Sequence, residues 1–156
     1  CAYWATFERP NIIYPDIARR PEFSFDSQNY YADCTLFVCP TNTPWIIGVL
    51  NSTVVNYYFN EISSKVRGGF LRFKSIYVSQ IPTPPATPAQ QSEIETLVEQ
   101  ILALKKQNPD ADVSALEAEI NQLVYKLYNL TEDEIEKAIA EIRAAIDKFN
   151  PKRPGQ

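Results

Sequence analysis

The sequence predicts an α+β fold, with a small mixed α/β lobe over residues 1–85 followed by an antiparallel segment of about three helices over residues 86–156. Aromatic and β-branched residues dominate before the proline-rich stretch 82–88, and Ala, Glu, Gln, Leu and Lys dominate after it. The net charge is +1 before residue 86 and −5 from there on. A chain of 156 residues can bury one core with a helical appendage. These contrasts predict two modules with different partners.

The first half reads as strands followed by a divided helix. Thr43 and Pro44 are typical of a helix cap and a first helical position, so a helix is expected over residues 45–62. It should be divided near Ser52, which would cap the second piece. The chain should then return to a strand over residues 69–78. Before the helix, short apolar runs bounded by turn residues predict strands over 11–14, 23–25 and 34–39.

The second half carries three helix signals. Residues 87–90 have the spacing of a capping box with proline inside it, and Asn108 should end that helix. A second helix should begin near Asp112 and stop at Asn129, and residues 131–134 form a second capping box. Apolar residues at helical spacing form stripes on these helices: Ile94, Leu97, Val98, Ile101, Leu102 and Leu104; Leu116, Ile120, Leu123, Val124 and Leu127; and Ile135, Ile139, Ile142 and Ile146. Short-linked helices of this kind usually pack as an antiparallel bundle.

The composition excludes several kinds of function. The chain has no histidine, which rules out Ser-His-Asp and Cys-His catalysis by its own residues. Cys34 and Cys39 lack the further ligands that zinc requires, so they are expected to be reduced, partly buried thiols of a cytosolic protein, with no metal site. No apolar run reaches the roughly 20 residues of a membrane span. Because the chain begins at Cys1 and contains no Met, we expect a piece of a longer polypeptide.

One basic segment is the first candidate binding surface. Residues 62–80 carry four cations and no acidic residue. Such cations neutralise phosphates in nucleic-acid complexes, and adjacent glycines let the backbone approach closely or move. The candidates are Lys65 and Arg67 on a predicted loop, Gly68 and Gly69, and Arg72 and Lys74, which would share one face of the predicted strand. Alternatively, the four cations form a solvated surface that keeps an apolar hairpin soluble.

A second candidate lies nearer the N-terminus. Arg19 and Arg20 precede a polar and aromatic loop that includes Gln28, Asn29 and Tyr30. Arg suits guanine, Gln and Asn suit adenine, and Tyr can contact phosphate or sugar. The alternative is an ordinary irregular surface loop.

Other residues invite functional interpretations that we do not favour. Pro15-Asp16 and Glu22 would suit a magnesium-dependent nuclease, but the lysine that should follow the second acid is missing, so Asp16 is expected to cap a turn. Residues 57–59 and Trp45 are of the aromatic type that stacks on bases, but their apolar neighbours favour core packing.

Four stretches together resemble one family. Residues 10–18, P-N-I-I-Y-P-D-I-A, are similar to the opening segment of the TaqI-like C-terminal specificity domain. Residues 48–59 resemble its "L-N-S" helix. The closing motif is represented by Gly69, Arg72-Phe73, Tyr77-Val78 and residues 80–84, and residues 120–135 resemble the helical tail that often ends such enzymes. The resemblance covers most of the chain, in the correct order.

The resemblance implies DNA recognition without catalysis. Such domains follow a Rossmann-like adenine-specific DNA methyltransferase, sometimes fused to a nuclease, and are similar to the recognition domains of Type I specificity subunits. The Asn-Pro-Pro-Tyr motif and the glycine-rich S-adenosylmethionine loop of the catalytic half are absent here. We therefore expect a cytoplasmic domain that binds double-stranded DNA and has no catalytic residues or cofactor of its own. S-adenosylmethionine would bind an N-terminal methyltransferase domain of the same polypeptide, in a methyltransferase or a combined restriction-modification enzyme.

Two alternatives remain open from the sequence. The acidic helical half could dock a protein partner, with the first half as scaffold. The chain could also be a fragment of a free-standing Type I specificity subunit.

Overall fold

The computed structural model describes residues 8–149, apart from 27, 29–32 and 42. In this part of the chain, small antiparallel sheets combine with helices, which confirms the predicted α+β class. The strands are β1 (Asn11–Pro15), β2 (Ile17–Ala18), β3 (Ser24–Asp26), β4 (Leu36–Pro40), β5 (Lys65–Val66) and β6 (Phe70–Arg72). The helices are α1 (Trp45–Leu50), α2 (Thr53–Ile62), α3 (Ser75–Val78), α4 (Pro88–Gln107), α5 (Ser114–Leu127) and α6 (Glu132–Phe149). None of these helices is long and apolar enough to cross a membrane.

Two three-stranded sheets are joined at Asp16. The first sheet has the order β3-β1-β4 and the second β2-β6-β5. The Asp16 backbone N–H donates to the carbonyl oxygen of Thr35 at 2.9 Å, and its own carbonyl accepts the N–H of Phe73 at 2.7 Å. The extended segment from β1 to β2 therefore passes from one sheet to the other at this residue.

The strand expected over residues 69–78 is wrong beyond Arg72. β6 ends at Arg72, which pairs with Ile17, the first residue of its antiparallel partner β2, so the pairing extends no further. Phe73 then enters the core with no exposed area, and residues 75–78 form a short helix. The two-residue strands β2 and β5 were not predicted, because so short a segment has no measurable period.

The first helices follow the predicted division at Ser52. The Ser52 side chain accepts a hydrogen bond from the N–H of Val55, as expected of a cap. The expected Thr43 cap is wrong, because α1 has Pro44 at its N-cap position and no side-chain cap bond there. Thr43 instead shares a hydroxyl hydrogen bond with Thr41 at 2.8 Å.

The last three helices begin and end close to the predicted residues. Thr87 forms the predicted capping box at the start of α4, and Asn108 follows its last residue. The Thr131 N–H donates to Glu134 at 2.8 Å and its hydroxyl accepts from the Glu134 N–H, which confirms the second box. Asn129 has a φ of 52°, the left-handed conformation that stops a helix. The start of α5 is two residues later than expected, at Ser114.

The core spans both halves of the chain. A series of aromatic contacts crosses the first half: ring centroids are 5.0 Å apart for Tyr14 and Phe23, 6.0 Å for Phe23 and Phe73, and 4.3 Å for Phe73 and Phe59. The same core continues into α4 and α5 through Ile94, Val98, Ile120 and Val124. α4 packs against α1 as well as α5, and α6 packs against α2. The helical segment is thus layered on the helices of the first half, and a domain boundary at residue 85 stays a prediction.

Hydroxyl groups hold the proline-rich segment in place. Tyr58 donates to the carbonyl of Gln80 at 3.1 Å, and Tyr128 donates to the carbonyl of Pro82. Burial raises the pKa of Tyr128 from the ordinary 10.0 to about 12, so this hydroxyl keeps its proton and remains a donor in alkaline solution as well as at neutral pH. These two bonds fix the position of the chain that connects β6 to α4.

Gly48 lets α1, α4 and α5 approach closely. A methyl group at this position would lie 2.6 Å from the Cγ2 of Ile94 and 3.2 Å from the Cγ2 of Ile120. We expect Gly48→Ala to lower the free energy of unfolding by about 1–3 kcal/mol through overpacking, despite the better helix propensity of Ala. Urea denaturation measures the change. Ala115→Gly on an exposed position of α5 is a control for helix propensity alone, and a Gly48→Ala protein as stable as wild type would contradict this packing.

Candidate nucleic-acid interface

The sheet β2-β6-β5 has one buried and one outer face. Ala18 pairs with Leu71, and these side chains are 4% and 1% exposed. Cross-strand partners point to the same side of a sheet, and successive residues point to opposite sides. The neighbouring pair, Ile17 and Arg72, therefore lies on the opposite side, which we call the outer face. Consistent with this, Ile17 is 44% exposed.

Arg19, from the second candidate surface, meets the basic segment 62–80 on this outer face. Arg19 follows β2, and its guanidinium carbon lies 4.7 Å from the centroid of the Phe70 ring in β6. That distance is within the range of a cation–π contact. Arg19 and Phe70 of the basic segment, which are far apart in sequence, thus lie together on the outer face.

A tight turn joins β5 to β6 at the edge of this surface. Gly68 and Gly69 have φ values of +85° and +78°, a left-handed conformation that other residues rarely adopt. The Gly69 N–H donates to the carbonyl of Val66 at 3.2 Å. The glycines thus set the shape of this turn.

Lys65 and Arg67 are both exposed and lie beside this turn. Lys65 is in β5 rather than in the predicted loop, whereas Arg67 is in the turn itself. Lys65 pairs with Leu71, so its side chain leaves the sheet from the side opposite the outer face. These two cations therefore flank the edge of the sheet instead of sharing one face.

Arg72 and Lys74 have different surroundings. An Nη of Arg72 lies 3.1 Å from a carboxylate oxygen of Asp16, and both side chains are 27% exposed. The expectation that Asp16 caps a turn is therefore replaced by an ion pair with Arg72. Lys74 is exposed but precedes α3 and is not in a strand, so the predicted common face of Arg72 and Lys74 is wrong. Of these two cations, Arg72 is the one whose charge is compensated by an ion pair.

Arg20 points away from Arg19. It is exposed and, together with Lys105 and Glu117, lines a cleft of about 370 Å³ between the first half and the helices. Arg19, in contrast, lies against the Phe70 ring of β6. The two arginines therefore do not form one patch.

Of the three candidate residues in the polar loop, Gln28 is the one that the structure describes. Gln28 is exposed, and its backbone N–H donates to a carboxylate oxygen of Asp26 at 2.9 Å, as in an Asx turn. Asn29 and Tyr30 lie outside the described residues. Their proposed base contacts remain predictions.

The aromatic and cysteine predictions are partly confirmed. Trp45 and Phe59 are core residues, with exposures of 8% and 0%. Tyr57 and Tyr58 are only half-buried. Cys34 and Cys39 are exposed free thiols, so the expectation of partial burial is wrong. Among the described residues, no cluster of three or more His, Cys, Asp or Glu side chains is placed to hold a metal ion.

Sequence reasoning missed the roles of Phe70 and of the Asp16 carboxylate. Both depend on the pairing of β2 with β6, which joins distant parts of the chain. The short run Ile17-Ala18-Arg19 has no alternation of apolar and charged residues that would predict a strand with one outer face. It does not indicate which strand is the partner.

Comparison with known proteins agrees with the resemblance seen in the sequence. The family model described as "TaqI-like C-terminal specificity domain" matches residues 2–83. The Type II methyltransferase M.PaeR7I of Pseudomonas aeruginosa is 30% identical over 130 residues, which cover 81% of this chain and 21% of that protein. The Type II methyltransferase M.XhoI of Xanthomonas vasicola is 26% identical over 136 residues, covering 85% of this chain and 23% of that protein. The chain thus corresponds to less than a quarter of the length of either relative.

Proposed function

Because the chain belongs to the family of TaqI-like C-terminal specificity domains, we propose that it recognises a sequence in double-stranded DNA and directs a separate catalytic domain to it. The observation that carries the proposal is the meeting of Arg19 with the basic segment on one small sheet. Cations on one surface neutralise successive phosphates, and a rigid sheet holds them in register.

Charge supports this choice of surface. Residues 62–80 contain Lys65, Arg67, Arg72 and Lys74 and no acidic residue. In the described residues, the one ion pair that these four cations form is that of Arg72 with Asp16. Three exposed cations and the nearby Arg19 therefore remain uncompensated. Their positive potential attracts duplex DNA and accelerates its association.

The rest of the function is assigned to a polypeptide larger than this chain. Both relatives are named as Type II methyltransferases and are several times longer. We propose that the parent protein is an adenine-specific DNA methyltransferase, alone or combined with an endonuclease. S-adenosylmethionine and the catalytic residues would belong to its other domain, and the present residues would supply sequence recognition.

The helical half is proposed to contact that methyltransferase domain rather than DNA. Residues 86–156 carry eight Lys or Arg and thirteen Asp or Glu. Three acidic residues, 132–134, lie in the first turn of α6. An acidic surface of this kind repels phosphates. A protein neighbour is the better partner for these helices.

A salt titration tests the proposal. We expect the chain to bind duplex DNA at low ionic strength, with an affinity that falls as salt is added because bound counterions are released. Each phosphate contact contributes about 0.9 to the slope of log K against log salt concentration, so three or four contacts give a slope of about −3 to −4. Fluorescence anisotropy of a labelled duplex measures it. Absence of binding at low salt, also after fusion to a methyltransferase domain, would contradict the proposal.

A further inference from the structure

Arg19 differs from the other cations of the surface in the way its side chain is held. The guanidinium lies over the Phe70 ring, with 4.7 Å from its carbon to the ring centroid. This cation–π contact holds the guanidinium against the ring and restricts the directions in which it can point. Arg19 is exposed, and no residue in the described ranges forms a hydrogen bond or ion pair with it. Its N–H donors are left for a ligand.

The other cations lack this combination. Arg72 has the same guanidinium fork, but its charge is paired with Asp16 at 3.1 Å. Lys65 and Lys74 end in ammonium groups, which act as point charges on flexible stems. Arg67 is exposed in the turn without an aromatic contact in the described part of the chain. Arg19 thus combines an oriented guanidinium with an uncompensated charge.

We propose that Arg19 is a base-reading residue of this domain and recognises a guanine in the major groove of its DNA site. This rests on the proposed function and deepens it. Guanine presents O6 and N7 as two adjacent acceptors, which match two parallel N–H donors of a guanidinium. Phe70 is the positioning residue, because a side chain that is already oriented loses less entropy on binding. Lys65, Arg67 and Lys74 contact phosphates instead.

The proposal predicts a loss of discrimination at one base pair. A bidentate contact to guanine contributes about 5- to 150-fold of preference for the correct base. Arg19→Lys keeps the positive charge but loses the planar fork, so it should remove this preference at one position and leave the others. Arg67→Lys is the matched control, because a phosphate contact carries no sequence information and Lys also provides it.

The experiment is a selection from duplexes randomised over a central stretch, with the wild-type chain and its variants. We expect wild type to enrich a sequence that contains a guanine at one or more positions. Arg19→Lys should lose the preference at one of these positions. Phe70→Leu, which removes the ring but keeps an apolar side chain, should lose it at the same position. Arg67→Lys should enrich the wild-type sequence.

Replacement of that guanine by 7-deazaguanine provides a test at the level of one atom. The analogue lacks the N7 acceptor, so it should weaken binding by wild type several-fold and leave binding by Arg19→Lys nearly unchanged. Circular dichroism verifies that each variant is folded, and because Arg19 is exposed, Arg19→Lys is expected to fold normally.

The possible results separate this inference from the proposed function. If wild type enriches no sequence, the proposed function fails and the inference fails with it. If wild type enriches a sequence and Arg19→Lys enriches the same one with every position unchanged, only the role of Arg19 is overturned. If Arg19→Lys and Arg67→Lys relax the same positions equally, the loss is not specific to Arg19 and its role in base reading is overturned.

Discussion

Reversal of charge at Lys65 and Arg67, by replacing both with Glu, is expected to weaken binding of duplex DNA by at least about 60-fold at about 0.1 M salt, because two phosphate contacts are lost. The repulsion of the new carboxylates adds to this loss. The slope of log K against log salt concentration should become shallower by about 2. Both side chains are exposed, so the fold should persist. Fluorescence anisotropy at several salt concentrations measures both quantities.

The control for this variant has the same change in net charge on another surface. Lys106 and Lys126 are exposed on α4 and α5. Replacing both with Glu should leave affinity within a few-fold of wild type, because long-range repulsion is screened within about 10 Å at this ionic strength. Equal losses in the two double variants would show that net charge, rather than the edge of the basic sheet, determines binding.

Phe59→Ala is expected to lower the free energy of unfolding by about 3–5 kcal/mol, a large part of the 5–15 kcal/mol that stabilises a typical domain. Phe59 has no exposed area, and its ring stacks on that of Phe73 at 4.3 Å and an interplanar angle of 10°. Truncation removes this contact and leaves a cavity between α2 and the chain that follows β6. Urea denaturation followed by circular dichroism measures the loss.

Two further experiments define the source of that loss. Ile76→Ala truncates an apolar side chain that is 65% exposed, and it should change stability by less than about 0.5 kcal/mol. A double-mutant cycle between Phe59→Leu and Phe73→Leu should give a coupling energy of about 0.5–1.5 kcal/mol, the range for an aromatic pair. If Phe59→Ala lowers the free energy of unfolding by less than about 1 kcal/mol, this ring is not central to the core.

The features predicted correctly are mostly those that depend on neighbours in sequence. Ser52, the box that begins at Thr87 and the box that begins at Thr131 each bond to a residue three positions later. Such signals can be read without a fold. The incorrect strand over residues 69–78 shows the opposite case, because its end depends on a partner strand far away in the chain.

For the candidate site, the sequence predicts two groups of cations, and the structure arranges them differently from that prediction. The sequence places Arg19 and Arg20 in one group and predicts one face for Arg72 and Lys74. The structure separates both pairs. Arg19 lies over Phe70, whereas Arg20 lines the cleft beside the helices. Arg72 is paired with Asp16, and Lys74 lies outside the strand.

The amino-acid sequence by itself determined the α+β class, the positions of the long helices, the unequal charge of the two halves and the likeness to a specificity domain. These are properties of composition and of residues within one or two helical turns of each other. Only the tertiary structure decided which cation is neutralised by Asp16 and which is held over Phe70. Both outcomes follow from the pairing of β2 with β6, and the free energy of that pairing comes from burying Ala18, Leu71 and Phe73 in a core that distant residues complete.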